Sequence, residues 1–117
     1  MFIGKISELT GVSRKAIRHY EKLGLLQVPN RKGTYRIYDE RHVHLVAAIK
    51  RAQSLGFKLS ELVPLYNAKQ RFRQFPVELA GKVIDGKMAE LKKQISQARH
   101  RERELRKLKQ ELNRLSC

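Results

Sequence analysis

The sequence predicts a mainly α-helical protein, with a small helix-turn-helix near its N-terminus and a long helix at its C-terminus. Three observations predict this fold. Residues 13–26 form an amphipathic segment that follows a glycine turn, residues 33–38 alternate as a short strand does, and the last third of the chain carries apolar residues at heptad spacing. Helix, turn, helix and strand in this order indicate a winged helix-turn-helix followed by a coiled-coil helix.

The charge balance points to a polyanionic partner. The 117 residues include 26 Lys and Arg against 11 Asp and Glu, a formal net charge of +15. Such a surplus favours nucleic acid as the partner. No apolar run approaches the roughly 20 residues of a spanning helix, and residues 1–11 lack the hydrophobic region of a signal peptide. We therefore expect no membrane association and a cytoplasmic, nucleoid-associated protein.

The polar residues do not form a catalytic or metal-binding pattern. Cys117 is the only cysteine, and His42 and His44 point in different directions on a helix, so we expect surface histidines with a structural role. No phosphate-binding loop, nucleophile elbow or HExxH motif is present. The sequence predicts no enzyme, no cofactor and no metal site. Cys117 could act as a thiol switch or as one metal ligand, but we expect a frayed terminal cysteine without a role.

The first two helices make the helix-turn-helix, residues 2–26. Residues 2–10 should form a bracing helix that directs Ile3, Ile6 and Leu9 into the core. Ser13 is a suitable N-cap for the second helix and Gly24 a suitable C-terminal stop. Its apolar side comprises Ala16, Ile17, Tyr20 and Leu23, and the opposite stripe comprises Lys15, Arg18, His19 and Lys22. That stripe is either an anion-binding face or simply a solvated helix surface.

The wing, residues 27–38, and two further helices, residues 39–67, complete the first domain. Tyr35 and Ile37 should share one face of a strand that pairs with residues 26–28. Asp39 should cap a third helix over 40–55, whose apolar side holds Leu45, Val46, Ile49, Ala52 and Leu55. A fourth helix should start near Lys58 and be kinked or delayed by Pro64, with Leu59, Leu62, Val63, Leu65 and Tyr66 turned inward.

The C-terminal domain, residues 76–117, follows a basic linker at 67–75. From Val77 the helical pattern covers about 39 residues, or roughly 58 Å. Its apolar seam comprises Ile84, Met88, Leu91, Ile95, Ala98, Leu105, Leu108, Leu112 and Leu115, with a phase shift near Arg101. A helix packed on its own domain is the alternative, but no core of this size could cover such a length. The seam therefore predicts a homodimeric coiled coil.

Three stretches resemble the MerR family of bacterial transcription regulators. They are IGKISELTGVSRKAIRHYEKLGLL, YRIYDE and LGFKLSEL, in the family's order and followed by a long terminal helix. The resemblance implies a winged helix-turn-helix that binds double-stranded DNA and an antiparallel coiled coil between two protomers. It also implies binding to an inverted repeat in a promoter, whose spacer is bent and untwisted so that RNA polymerase can engage it.

The resemblance also implies which residues contact DNA. Ser13, Lys15, Arg18, His19 and Tyr20 match the recognition-helix positions, and Arg36 and Tyr38 match the wing. The helix-face argument adds Lys22. Lys58 is expected to add a phosphate contact beside free backbone donors at a helix start. Arg18 is the expected base-edge or phosphate contact, because its guanidinium suits guanine and phosphate alike.

The chain departs from the family pattern in three places. His19 stands where most members have Tyr, Thr34 separates Gly33 from Tyr35, and no effector domain follows the coiled coil. Two interpretations stay open, a short member without an effector-binding domain and a piece of a longer chain. Two other functions also stay open: an architectural or excisionase-like DNA-binding protein of the same fold, and a coiled-coil module that binds an acidic protein.

Overall fold

The structure is a computed structural model that describes residues 1–27, 29–72 and 77–116, apart from the side chains of 68 and 70–72. Its elements are α1 (Ile3–Thr10), α2 (Arg14–Lys22), β1 (Asn30–Lys32), β2 (Tyr35–Ile37), α3 (Glu40–Ser54), α4 (Leu59–Phe72) and α5 (Val77–Leu115). The chain divides into two compact units, one ending at Val77 and one beginning at Glu78. The predicted order of helices, wing and long terminal helix is confirmed.

The turn between α1 and α2 is built from local hydrogen bonds. Gly11 adopts a left-handed conformation with φ of 71°, and its N–H donates to the Ser7 carbonyl over 2.9 Å. The Ser7 hydroxyl then donates to the Val12 carbonyl over 2.7 Å. Ser13 caps α2 as predicted, because its Oγ accepts from the Ala16 N–H over 3.1 Å. These hydrogen bonds fix the geometry of the turn between the end of α1 and the start of α2.

One apolar core joins α1, α2, α3 and the loops between them. Ile6, Ile17 and Val46 have no exposed surface, and Leu25, Leu26 and Tyr38 retain at most 2% of theirs. Burying such a side chain contributes about 1.5–3 kcal/mol each to folding. The predictions for Leu9, Leu23 and Leu55 are wrong, because these side chains at the helix ends are 54%, 37% and 59% exposed.

The wing is a two-stranded antiparallel hairpin whose partner strand differs from the prediction. β2 pairs with β1, with Lys32 opposite Tyr35 and Asn30 opposite Ile37, instead of with residues 26–28. A two-residue connection at Gly33 and Thr34, with Gly33 at φ of 63°, places the preceding residues beside β2. Leu26 is meanwhile buried in the core, and Val28 lies outside the described residues.

The start of α3 is held by a reciprocal capping arrangement. Asp39 accepts from the N–H groups of Arg41 and His42, and His42 Nδ1 accepts from the Asp39 N–H over 3.1 Å. The predicted cap is confirmed. The expectation that His42 lies on the surface is wrong, because its side chain is 7% exposed and its Nε2 lies 3.2 Å from the Gln27 carbonyl. His44 is exposed as expected.

The helix α4 replaces part of what was predicted as linker. α4 begins at Leu59, continues through Pro64 and ends at Phe72, so residues 67–72 are helical. The donor that Pro64 lacks would have bonded to the carbonyl of Ser60, and Ser60 is an exposed residue. Leu59, Leu62, Val63 and Tyr66 pack against the core as predicted. The rest of the predicted linker, 73–75, and Pro76 lie outside the described residues.

The long terminal helix is confirmed and carries its apolar seam exposed. α5 has 39 residues and includes Gly81 and Gly86. Its seam positions Ile84, Met88, Leu91, Ile95, Leu105, Leu108, Leu112 and Leu115 are between 44% and 81% exposed. Ala98 is exposed as well. None of the helices in the described residues is long and apolar enough to cross a membrane.

Candidate nucleic-acid interface

The exposed face of α2 carries a row of basic side chains. Lys15, Arg18, His19 and Lys22 are all exposed, while Ile17 on the opposite face is fully buried. This set of four residues is the basic ridge. Its side chains are free to reach a groove because the core holds only the other side of α2. Ser13 stands at the head of the ridge, where its Oγ is engaged as the cap.

Tyr20 does not belong to the exposed face, which corrects the prediction that it contacts DNA. Its side chain is 3% exposed, and its hydroxyl donates to Gln53 Oε1 over 2.7 Å. Burial raises the pKa of the Tyr20 phenol above its usual value, so the group stays protonated as a donor. Tyr20 therefore anchors α2 to α3.

Tyr38 is also inside, and the prediction that it contacts DNA from the wing is corrected in the same way. The side chain is 1% exposed, and its hydroxyl donates to Glu21 Oε1. Burial, followed by the hydrogen bond to Glu21, raises the pKa of Tyr38 well above its usual value. Its ring meets His42 edge-on at 5.3 Å between centroids. The Tyr38 side chain holds the wing to the core.

Glu21 joins the recognition helix to the wing. Its second carboxylate oxygen, Oε2, lies 3.4 Å from Arg36 Nε, and the Glu21 side chain is only 9% exposed. One carboxylate thus binds both Tyr38 and Arg36, which follow each other closely along the wing. Sequence reasoning missed Glu21, although its place beside Tyr20 in IRHYEK was a usable signal.

A small cleft lies between the first residues, the ridge and the wing. About 120 Å³ in volume, it is lined by Phe2, Ile3, Arg18, Thr34, Tyr35 and Arg36. Arg18 comes from α2 and Arg36 from β2, so two guanidinium groups from different elements border one space. The rings of Phe2 and Tyr35 contact each other at a tilt of 50°, with 5.6 Å between centroids, and the two residues are 52% and 67% exposed. Sequence reasoning missed both rings as parts of the site.

The first residues are fixed against the wing by backbone bonding. The Tyr38 N–H donates to the Met1 carbonyl over 2.6 Å, which holds Phe2 beside Tyr35. At Gly4, an added Cβ would lie 2.8 Å from Arg14 Nη2, the end of a flexible side chain. The side chain of Arg14 thus lies over α1.

Two further basic residues differ from the ridge in their surroundings. Arg41 Nη2 lies 2.8 Å from Asp39 Oδ2, and this hydrogen bond holds the pKa of Asp39 well below its usual range. Lys58 is exposed, but its backbone N–H donates to Glu61 Oε1 over 2.9 Å. The N–H of Lys58 is therefore not among the free backbone donors expected at this helix start, because it bonds to the Glu61 carboxylate.

A metal centre has no support within the part of the chain that the structure describes. There, no three His, Cys, Asp or Glu side chains come close enough to hold a metal ion. Cys117, the expected thiol or ligand candidate, lies outside the described residues. The Arg, Lys and His side chains of the ridge and cleft can bind anions.

Comparison with known proteins agrees with this arrangement. A family profile described as "MerR HTH family regulatory protein" matches residues 1–69, and one described as "MerR, DNA binding" matches residues 43–115. The mercuric resistance operon regulatory protein of Bacillus cereus is 42% identical over 71 residues, 59% of this chain and 53% of that protein. CueR of Salmonella typhi is 32% identical over 98 residues, 83% of this chain and 70% of that protein.

Solved structures show the same fold. The lead(II) complex of PbrR691 from Ralstonia metallidurans CH34 matches with a TM-score of 0.78 and 28% identity, covering 94% of this chain and 86% of that chain. A putative MerR family regulator from Listeria monocytogenes matches in fold, with a TM-score of 0.67 at 23% identity over 82% of this chain and 73% of that one. The chain spans about half the length of several relatives it matches, among them the B. cereus protein.

Proposed function

Because this chain belongs to the MerR family of helix-turn-helix regulatory proteins, we propose that it is a dimeric, sequence-specific DNA-binding transcription regulator. The basic ridge carries this proposal: four exposed basic side chains stand on a helix whose other face is locked into the core. A ridge of this kind fits the major groove of B-DNA, which admits an α-helix.

Each residue of the basic ridge, together with Ser13 and Lys58, has a proposed task. Arg18 contacts a base edge or a phosphate, because its planar fork can donate two parallel hydrogen bonds. Lys15, His19 and Lys22 supply further contacts along the same groove. Ser13 acts through its cap, which keeps the first turn of α2 in place. Lys58 adds charge near a phosphate through its exposed side chain.

The wing supplies the second set of contacts. Arg36 is held by Glu21 on one side and borders the same cleft as Arg18 on the other. We place a backbone phosphate in that cleft, where both guanidinium groups can donate to its oxygens. Tyr20 and Tyr38 take no direct part. They fix the ridge and the wing at a set separation, so that both engage one duplex together.

Two copies should act together on one site. The seam of α5 leaves large apolar side chains exposed, and a second copy of the helix would bury them. We therefore assign residues 1–75 to DNA binding and residues 76–117 to dimerisation through an antiparallel coiled coil. A two-fold dimer presents two ridges to an inverted repeat. Distortion of the DNA between the half-sites would act on RNA polymerase only through the promoter.

Footprinting on the DNA upstream of its own gene tests the proposal. We expect protection over an inverted repeat with altered central base pairs. Arg18→Ala should weaken specific binding by about 1–3 kcal/mol and relax the choice of sequence. Arg51→Ala is the matched control, because Arg51 is exposed on α3 rather than on the ridge. Equal affinity for all duplexes, or an Arg51→Ala loss as large as that of Arg18→Ala, would contradict the proposal.

Transcription in vitro separates regulation from architecture. A regulator bound to its promoter should change the transcript yield of purified RNA polymerase. Specific protection with an unchanged yield would identify an architectural or excisionase-like protein instead. Retained dimerisation without DNA binding would identify a coiled-coil interaction module.

A further inference from the structure

The outer surface of α5 carries a row of cations that the dimerisation seam does not use. Lys92, Ser96, Arg99 and Arg103 recur at steps of four, three and four, which places them on one side of the helix. The structure brings these four side chains together with Ile95 around one shallow groove. We call this set of four residues the α5 stripe. The stripe lies beside the seam, since Ile95 belongs to the seam.

The stripe is not neutralised by the chain that carries it. Within the described residues, no carboxylate pairs with Lys92, Arg99 or Arg103. Other cations of α5 do have such partners, as Arg106 lies 2.6 Å from Glu102 and Lys107 lies 3.4 Å from Glu104. The three unpaired cations therefore leave a local positive field on an exposed helix face.

The row continues beyond the groove in the same phase. Arg106, Gln110 and Arg114 follow Arg103 at steps of three, four and four, although Arg106 is already paired with Glu102. No Asp or Glu occupies a place in the row from Lys92 to Arg114. These residues span about 33 Å at 1.5 Å per residue. That length is close to one turn of B-DNA, roughly 34 Å.

The composition of the row indicates the class of partner. Between its cations stand only Ser96 and Gln110, with no aromatic or large apolar side chain. Protein interfaces depend on large anchors that are seated in well-packed pockets, whereas the stripe borders only a shallow, open groove whose one apolar member is Ile95 of the seam. Spaced cations without anchors suit a phosphodiester backbone, where binding gains free energy from released counterions.

From this geometry we infer that the α5 stripe is a second DNA-binding surface, which holds the phosphate backbone of duplex DNA without reading its sequence. It is separate from the basic ridge of α2, so the two surfaces can be tested one at a time. Its effect would be to add a salt-sensitive, sequence-independent component to the affinity for long DNA.

The salt dependence of binding to a fluorescent, mixed-sequence DNA duplex tests the inference on the full chain. Arg99→Gln/Arg103→Gln should lower the slope of log affinity against log salt by about 1.8 for each stripe that contacts the duplex, because each such stripe loses two phosphate contacts. The control, Arg51→Gln/Lys109→Gln, removes the same charge from exposed positions outside the row and should change the slope much less. Sedimentation of each variant confirms that the oligomeric state is unchanged.

Several results would overturn the inference. An unchanged slope for Arg99→Gln/Arg103→Gln, or an equal change for the control, would remove the second surface. Polyglutamate serves as a probe for an acidic protein partner. If Arg99→Gln/Arg103→Gln lost polyglutamate binding but kept DNA binding, the α5 stripe would be a surface for an acidic protein. The proposed role of the basic ridge is tested by another variant, Lys15→Gln/Arg18→Gln. Either proposal can therefore fail without the other.

Discussion

The two units of the chain treat their apolar residues in opposite ways. In the first unit, Ile6, Ile17 and Val46 are fully buried by neighbouring elements of the same chain. In α5, Leu105 is 64% exposed and Leu112 is 58% exposed. The first unit therefore contains a complete core, whereas α5 exposes an apolar face that needs a partner. Folding of the first unit and assembly through α5 are therefore separable properties.

The polar side chains of the two units also differ in their surroundings. In the first unit, Tyr20 and Tyr38 are buried, the Glu21 side chain is only 9% exposed, and all three are bound to named partners. They therefore fix the angle between helix and wing. In α5 the ion pairs join neighbouring turns of one exposed helix, such as Arg106 with Glu102. Exposed pairs of this kind contribute at most about 1 kcal/mol each. They support the helix but do not position a site.

The largest expected effect is on assembly. Leu91→Glu places a carboxylate in the seam, where burial of an unpaired charge costs several kcal/mol, so the dimer should dissociate to monomers. Gln97→Glu adds the same charge away from the seam and should leave the dimer intact. Analytical ultracentrifugation distinguishes the two. A dimeric Leu91→Glu would show that the seam does not join the protomers.

The next effect is on the folding of the first unit. Ile17→Ala removes a fully buried side chain from α2 and should lower the free energy of unfolding by about 2–5 kcal/mol. Leu9→Ala, at a position 54% exposed, should cost far less. Urea unfolding followed by circular dichroism measures both. Similar losses for the two variants would contradict the division between core and surface.

The smallest effect concerns the tyrosine that holds the wing. Tyr38 has its pKa raised above 10.0 in the folded chain, so its contribution to stability is complete below pH 10 and falls as the pH rises further. Tyr38→Phe should reduce that alkaline loss. It should also cost about 1–3 kcal/mol near neutral pH, because the buried Glu21 carboxylate loses a donor. Unfolding curves across alkaline pH test the sign, and an unchanged slope would contradict it.

The sequence predicted what local chemistry determines. Ser13 and Asp39 are caps whose side chains act within three residues, and both were located from the sequence. The exposed ridge followed from helical periodicity alone. The long helix followed from the heptad seam, and the MerR resemblance supplied the order of elements.

The wrong predictions concern side chains that suit both a surface contact and a buried position. Tyrosine suits a groove contact as well as a buried hydrogen bond, and only the tertiary structure shows that Tyr20 and Tyr38 turn inward to Gln53 and Glu21. The predicted pairing of the wing strand with residues 26–28 is wrong because a two-residue turn at Gly33 and Thr34 pairs β2 with the residues just before the turn. Glu21 was missed because its partners, Arg36 and Tyr38, lie on another element.

The central claim is that α5 delivers two copies of the basic ridge to one duplex. The number of chains bound to one promoter duplex, measured by native mass spectrometry, tests it most directly. We predict two wild-type chains per duplex, and loss of that complex both in Leu91→Glu and in Lys15→Gln/Arg18→Gln. A single chain bound per duplex with full affinity, or a two-chain complex unchanged by either variant, would contradict the account.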